Sequence, residues 1–209
     1  MELRDALTQI SEIRSQVALS QVFRGYRSFS AVVTGIIAVV AAAVQQRWVR
    51  NPEAHPGAYL LIWVGAAAVS LLLIAVEMFW RCRRMKSEMQ TRLTLLAVES
   101  FMPSLIAGGL FTGVVYTMVP GIFQFLPSFW MLFFSMGAFA MSRILPRATF
   151  WCGAYYLAAG IIVLALARSH HTLDPWIMGA VFAVGQFITA SILYWTLERG
   201  HGRSVDDNT

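Results

Sequence analysis

Residues 58–80 read AYLLIWVGAAAVSLLLIAVEMFW, and Glu77 is the only ionisable carboxylate or base in that stretch. As an α-helix it is about 35 Å long, enough to cross a hydrocarbon core of about 30 Å. A helix on the surface of a soluble protein is apolar along one stripe, whereas this one is apolar on every face. The segment therefore belongs in a bilayer, and directly after it stand Arg81, Arg83, Arg84 and Lys86.

Five more stretches of similar character flank it, so the candidate spans are 29–46, 58–80, 93–118, 121–142, 148–167 and 175–197, separated by charged or Pro/Gly-bearing breaks. The composition agrees. Of 209 residues 57% are hydrophobic and 13% charged, against roughly 25% charged in soluble domains, and the mean hydropathy is +0.61. The expected fold class is all-α: a polytopic integral membrane protein with six transmembrane helices in one bundle (29–197), a cytoplasmic amphipathic helix over 1–28 and a flexible cytoplasmic tail over 198–209. The first span, with Ala41, Ala42 and Ala43 at its end, imitates a signal-peptide core, but its polar lead is too long for one and it is read as a retained anchor.

Basic residues flanking membrane helices stay on the cytoplasmic side. One side collects Arg4, Arg14, Arg24, Arg27, Arg81, Arg83, Arg84, Lys86, Arg92, Arg143, Arg147, Arg199 and Arg203; the other has Arg47, Arg50 and Arg168. Both termini are thus expected in the cytoplasm, which requires an even number of spans. The arginine-rich basic complement points to a bacterium and so to its inner membrane. Trp48 and Trp176 should mark the outer interface, Trp80, Trp151, Tyr194 and Trp195 the cytoplasmic one, with Trp63 and Trp130 deeper between helices.

Ahead of the first span, Leu3, Ala6, Leu7, Ile10, Ile13 and Val17 recur at helical spacing. Such a helix packs beneath the bundle or lies on the membrane. The basic loop 81–86 is expected to attract anionic lipid headgroups, and it and the leading helix together offer a surface for a membrane or cytosolic protein partner. The net charge of +5 follows from topology, so no nucleic acid is expected.

Enzyme signatures are absent from the sequence: there is no GxSxG, HExxH or GxxxxGK. His55, His170, His171 and His201 all fall outside the spans, which disfavours haem ligation, and the sole lysine, Lys86, lies in a loop. No cofactor and no catalytic residue is expected. Metal binding is not indicated either; the outer candidates His55, His170, His171 and Asp174 sit in two separate loops. Cys82 and Cys152 are read as free thiols.

Within the spans, ionisable and helix-breaking residues deserve weight because a charge in hydrocarbon costs several kcal/mol. Glu99 is followed by Ser100, Pro103 and Ser104, and Pro103 leaves the carbonyl of Glu99 without its helical donor. Glu99, with Glu77 and the two serine hydroxyls, could hold a proton or a cation, or Glu99 could pair with an arginine at the membrane edge. Pro127 similarly frees the carbonyl of Phe123 and should kink the fourth span. Gly109 and Gly113 form a GxxxG pair, and Gln186 shares a stripe with Gly179, Ala183 and Ala190; both patterns are expected in helix packing.

These features lead to a non-enzymatic membrane component, a scaffold or regulatory partner-binding protein. The alternative is a small proton- or cation-coupled transporter or channel using Glu99. Topology is tested with single cysteines in cells: Asn51→Cys should react with a membrane-impermeant maleimide added outside, and Ser204→Cys only after permeabilisation. The reverse pattern would overturn the orientation.

Overall fold

The computed structural model describes residues 28–84, 88–144, 148–167 and 172–195. Among them every regular element is helical: α1 (Ser28–Trp48), α2 (Pro56–Arg84), α3 (Glu88–Thr117), a 3₁₀ helix (Pro120–Phe125), α4 (Leu126–Met141), α5 (Thr149–Leu166) and α6 (Pro175–Leu193). Six helices are long and apolar enough to cross a membrane. The expected amphipathic helix over 1–28 and the tail over 198–209 lie outside the described residues, apart from Ser28, which opens α1.

Two helices outgrow their expected spans. α2 has 29 residues and α3 has 30, about 43 and 45 Å, while their apolar stretches stop at Trp80 and start at Leu95. The excess is polar helix on the side of the arginine cluster. The fourth span differs in another way, since it enters as a 3₁₀ helix and becomes α-helical only at Leu126. Pro127 explains the change: with no N–H at 127, the Phe123 carbonyl is taken instead by the Leu126 N–H, an i→i+3 bond that tightens the turn. The carbonyl freed by one proline is thereby satisfied within the chain.

Each helix packs on its neighbours in sequence, and α6 returns to α1 in the most extensive pairing of the bundle. Small residues make that return possible. A Cβ added to Gly179 would stand 2.5 Å from Cβ of Ala42 and 3.3 Å from the Ala38 carbonyl, and one added to Gly35 would stand 3.3 Å from Cβ of Gln186. The Gly179, Ala183, Ala190 stripe of α6 is buried, so the expectation that it marks a close helix interface is met, with α1 as its partner. Between α4 and α5, a Cβ on Gly160 would come within 3.1 Å of the Leu132 side chain, and one on Gly153 within 2.7 Å of the Phe139 ring. α4 and α5 form the second most extensive pair.

Burial is uneven along the bundle. The main apolar cluster takes Ala41 and Ala42 from the end of α1, Tyr59 and Trp63 from the start of α2, Val115 from the end of α3, then Phe123, Leu126, Met131, Val163, Leu173 and Met178. All lie towards the end that carries the α1–α2, α3–α4 and α5–α6 connections, here termed the loop end; the opposite, arginine-bearing end is the basic end. Between Trp63 and Gly108, no residue whose burial is described is buried. α2 and α3 accordingly share the least contact of the sequential pairs, and one of their meeting points, Gly57 against the Tyr116 hydroxyl, is at the loop end.

The tryptophans divide into exposed and packed positions. Trp48, Trp176, Trp80, Trp151 and Trp195 are exposed, whereas Trp63 is buried and Trp130 half-buried between helices.

If the α1–α6 seam closes the bundle, Gly179→Leu should lower stability by about 1–3 kcal/mol through overpacking. Gly65→Ala, where an added Cβ meets nothing within 4 Å, should be neutral or stabilising by up to about 1 kcal/mol from helix propensity. Unfolding of the purified protein in detergent compares them; equal stability of the two variants would remove the seam from its assigned role.

Candidate functional site

One group of polar side chains inside the bundle lies at the loop end, and most of its members bond to one another or to nearby carbonyls. Gln45, with none of its surface exposed, donates from Nε2 to the Leu173 carbonyl at 2.8 Å and accepts at Oε1 from Trp63 Nε1 at 2.6 Å. One carboxamide thus ties α1 to α2 and to the segment leading into α6. Trp130 Nε1 donates to Thr112 Oγ1 at 2.8 Å, and that hydroxyl donates onward to the Gly108 carbonyl at 2.7 Å, joining α4 to α3. Thr172 Oγ1 donates to the Gln124 carbonyl at 2.5 Å, which fastens the α5–α6 connection to the 3₁₀ helix.

Tyr59 sits at the centre of this knot. Its ring stacks on Trp130 (centroids 6.2 Å apart, planes at 12°) and meets Phe123 edge-on at 5.6 Å. The Tyr59 hydroxyl and Ser128 Oγ are buried with no hydrogen-bond partner among the described residues. Aromatic rings fill the surroundings of Tyr59, so the knot is a packed joint.

A second row of polar side chains runs between α5 and α6 towards the basic end. Tyr155 donates to the Val181 carbonyl at 3.0 Å and Tyr156 to the Phe182 carbonyl at 3.4 Å. Cys152 Sγ lies 3.0 Å from Thr189 Oγ1, and Gln186 lies within hydrogen-bonding reach of the Tyr156 hydroxyl. Gln186 therefore joins helices as its stripe implied. Phe134, Tyr156 and Phe182 close the space between α4, α5 and α6 with ring centroids 4.5 to 5.7 Å apart.

Glu99 belongs to neither group. It is exposed, and so is Pro103, while Ser104 is half-buried. α3 continues through Pro103 to Thr117, and the Ser100 hydroxyl donates to the Leu96 carbonyl at 2.7 Å rather than to the Glu99 carbonyl. Nine positions separate Glu99 from the buried Gly108, which places them on opposite faces of the helix. Gly108 packs against Phe133, so Glu99 points away from the bundle. Gly109 and Gly113 are exposed as well, and a Cβ built on either meets nothing within 4 Å. Among the described residues no helix packs closely on them, because α4 covers the other side of α3. Glu77 is half-buried and already engaged.

At the loop end, Asp174 caps α6, its carboxylate accepting from the Trp176 N–H at 2.8 Å. His55 is exposed, and His170 and His171 lie outside the described residues. Among the described residues no three His, Cys, Asp or Glu side chains are grouped to hold a metal ion.

Sequence reasoning overlooked Gln45 and Thr112. The available signal was a glutamine at the end of the first apolar stretch, beside Gln46 and Arg47, and a threonine whose i−4 residue is glycine, both ordinary in membrane helices until a tryptophan is found bonded to each. No protein-family model matches the chain, and comparisons with curated proteins and with solved structures return no match either.

Gln45→Leu strands the Trp63 indole N–H and the Leu173 carbonyl, a loss of about 1–3 kcal/mol for a buried group left unpaired. Gln46→Leu removes only the exposed bond from Trp176 Nε1, 3.0 Å long, and should change stability by about 0.5 kcal/mol or less. Detergent unfolding followed by tryptophan fluorescence separates the two, and equal effects would contradict the knot.

Proposed function

We propose that this chain is a non-enzymatic scaffold or regulatory component of a bacterial inner membrane, with both termini in the cytoplasm, and that it works by presenting the α2–α3 hairpin to a protein partner. The observation that carries the reading is the contrast in burial. Four helices and the loop end are closed on themselves, whereas no residue between Trp63 and Gly108 with described burial is buried. The half of the hairpin beyond Trp63 and Gly108 contributes little to the core, yet its helices are longer than the bilayer needs, so that half is available for association. The arginines at its tip favour anionic lipid headgroups around it. Nucleic acid plays no part in this reading, and no cofactor is invoked.

Transport through Glu99, with Glu77, Ser100 and Ser104 beside it, is the competing reading. It gains nothing from the packing, since a carboxylate on the far side of α3 has no opposing wall among the described residues. Proteoliposome flux unaffected by Glu99→Gln would retire it.

Partner association is tested with a photo-crosslinking amino acid placed in the native membrane. Positions Met102, Ile106 and Leu110 on the exposed face of α3 should each give a discrete protein adduct, while Ile161, equally exposed on α5, should give lipid adducts only. Lipid adducts alone at every position would overturn the proposal.

A further inference from the structure

Glu99, Ile106 and Gly113 share one face of α3, seven positions apart each time, with Met102 and Gly109 along one edge and Leu110 along the other. All six are exposed. The face has two properties that lipid does not satisfy. Its middle is bare backbone, because Gly109 and Gly113 have nothing within 4 Å of where a Cβ would stand. Its basic end carries a carboxylate on the fifth residue of the Leu95–Thr117 span, about 6 Å inside the apolar stretch, on a stem shorter than the Lys and Arg chains that reach the interface easily. No described residue is bonded to that carboxylate.

We infer that this face is the seat of a single transmembrane helix of a partner protein, one that carries a basic side chain facing Glu99 and small residues facing Gly109 and Gly113. Charge decides the class of occupant. A cation at the depth of Glu99 lowers the cost of keeping an ionised carboxylate in hydrocarbon, and a buried ionic group in turn fixes the register of the two helices. Geometry sets the spacing: Gly109 and Gly113 are 10 and 14 residues from Glu99, hence about 15 and 21 Å along the axis. The partner helix therefore has its Gly, Ala or Ser contact at that distance from its Arg, Lys or His. The inference rests on the scaffold reading above and adds the chemistry of the partner to it.

The test uses the full chain reconstituted in zwitterionic lipid vesicles, where no anionic headgroup competes. The probe is a dye-labelled Leu/Ala single-span peptide with a Gly-x-x-x-Gly centre and one Arg 10 to 14 residues away, compared with the same peptide carrying Gln instead. Energy transfer should report binding of the Arg peptide at least about tenfold tighter than the Gln peptide, as expected when one member of an interfacial charge pair is removed. Glu99→Gln should erase the preference, Glu99→Arg should transfer it to a peptide carrying Glu, and Gly113→Leu should weaken both peptides alike. Because Glu99 and Gly113 are exposed, all three variants should unfold like the parent chain, which is checked in parallel.

Equal affinity for the two peptides, or an Arg preference that survives Glu99→Gln, overturns the inference. Self-association of the chain that displaces the peptide and is abolished by Gly113→Leu makes the occupant a second copy, and tighter Arg-peptide binding after Arg14→Gln makes it the chain's own leading segment; either result also overturns it. Protein crosslinks at Ile106 combined with no charge preference would sink the basic partner and leave the scaffold reading standing. Absence of crosslinks would remove both.

Discussion

The Gln45 carboxamide is the point on which the arrangement turns. Hydrocarbon offers no hydrogen-bond partner, so a polar group that the helices bring into the bilayer is stabilised by finding one inside the protein. Gln45 meets that demand for three segments together, accepting from Trp63 and donating to Leu173. The Trp130–Thr112 and Thr172–Gln124 bonds extend the same solution to α3, α4 and the 3₁₀ helix. These contacts share one end of the bundle, the loop end.

Away from that end, apart from the Cys152, Tyr155 and Tyr156 contacts between α5 and α6, the packing rests on shape. Glycine and alanine let α6 lie close against α1, and glycines opposite Leu132 and Phe139 do the same for α5 against α4. Close approach matters in a membrane because lipid tails are as apolar as leucine, so helices gain from dispersion contacts and interhelical bonds more than from expelling solvent. α2 and α3 have neither device over their basic halves. They are held at the loop end by Tyr59, Trp63, Thr112 and Val115, and beyond that they present side chains outward. The hairpin is thus anchored in the core at one end and, among the residues whose burial is described, unburied along the other.

The spans were legible because a helix that is apolar on all faces and about 20 residues long has few alternatives, and the breaks between them contain charges, prolines or glycines. The stripe of Gly179, Ala183 and Ala190 was legible too, as was the packing of Trp63 and Trp130 between helices. The helical extensions of α2 and α3 were not, because polar residues outside the membrane carry no hydropathy signal. The entry of α4 as a 3₁₀ helix escaped for a different reason: Pro127 announces a lost N–H, but whether the helix bends or tightens depends on what Gln124 and Phe123 bond to.

Six membrane-spanning helices, their order and the angular relation between Glu99, Gly108 and Gly113 on α3 are properties of the sequence, since they need only the helical repeat and the thickness of a bilayer. Which side of α3 is covered is not. An all-apolar helix has no stripe to declare its packed face, and the decision falls to Phe133, Trp130 and the glycines opposite them, residues distant in sequence whose shapes fit on one side only. Glu99 therefore faces away from the bundle because of how α4 packs, a fact that no local pattern around it contains.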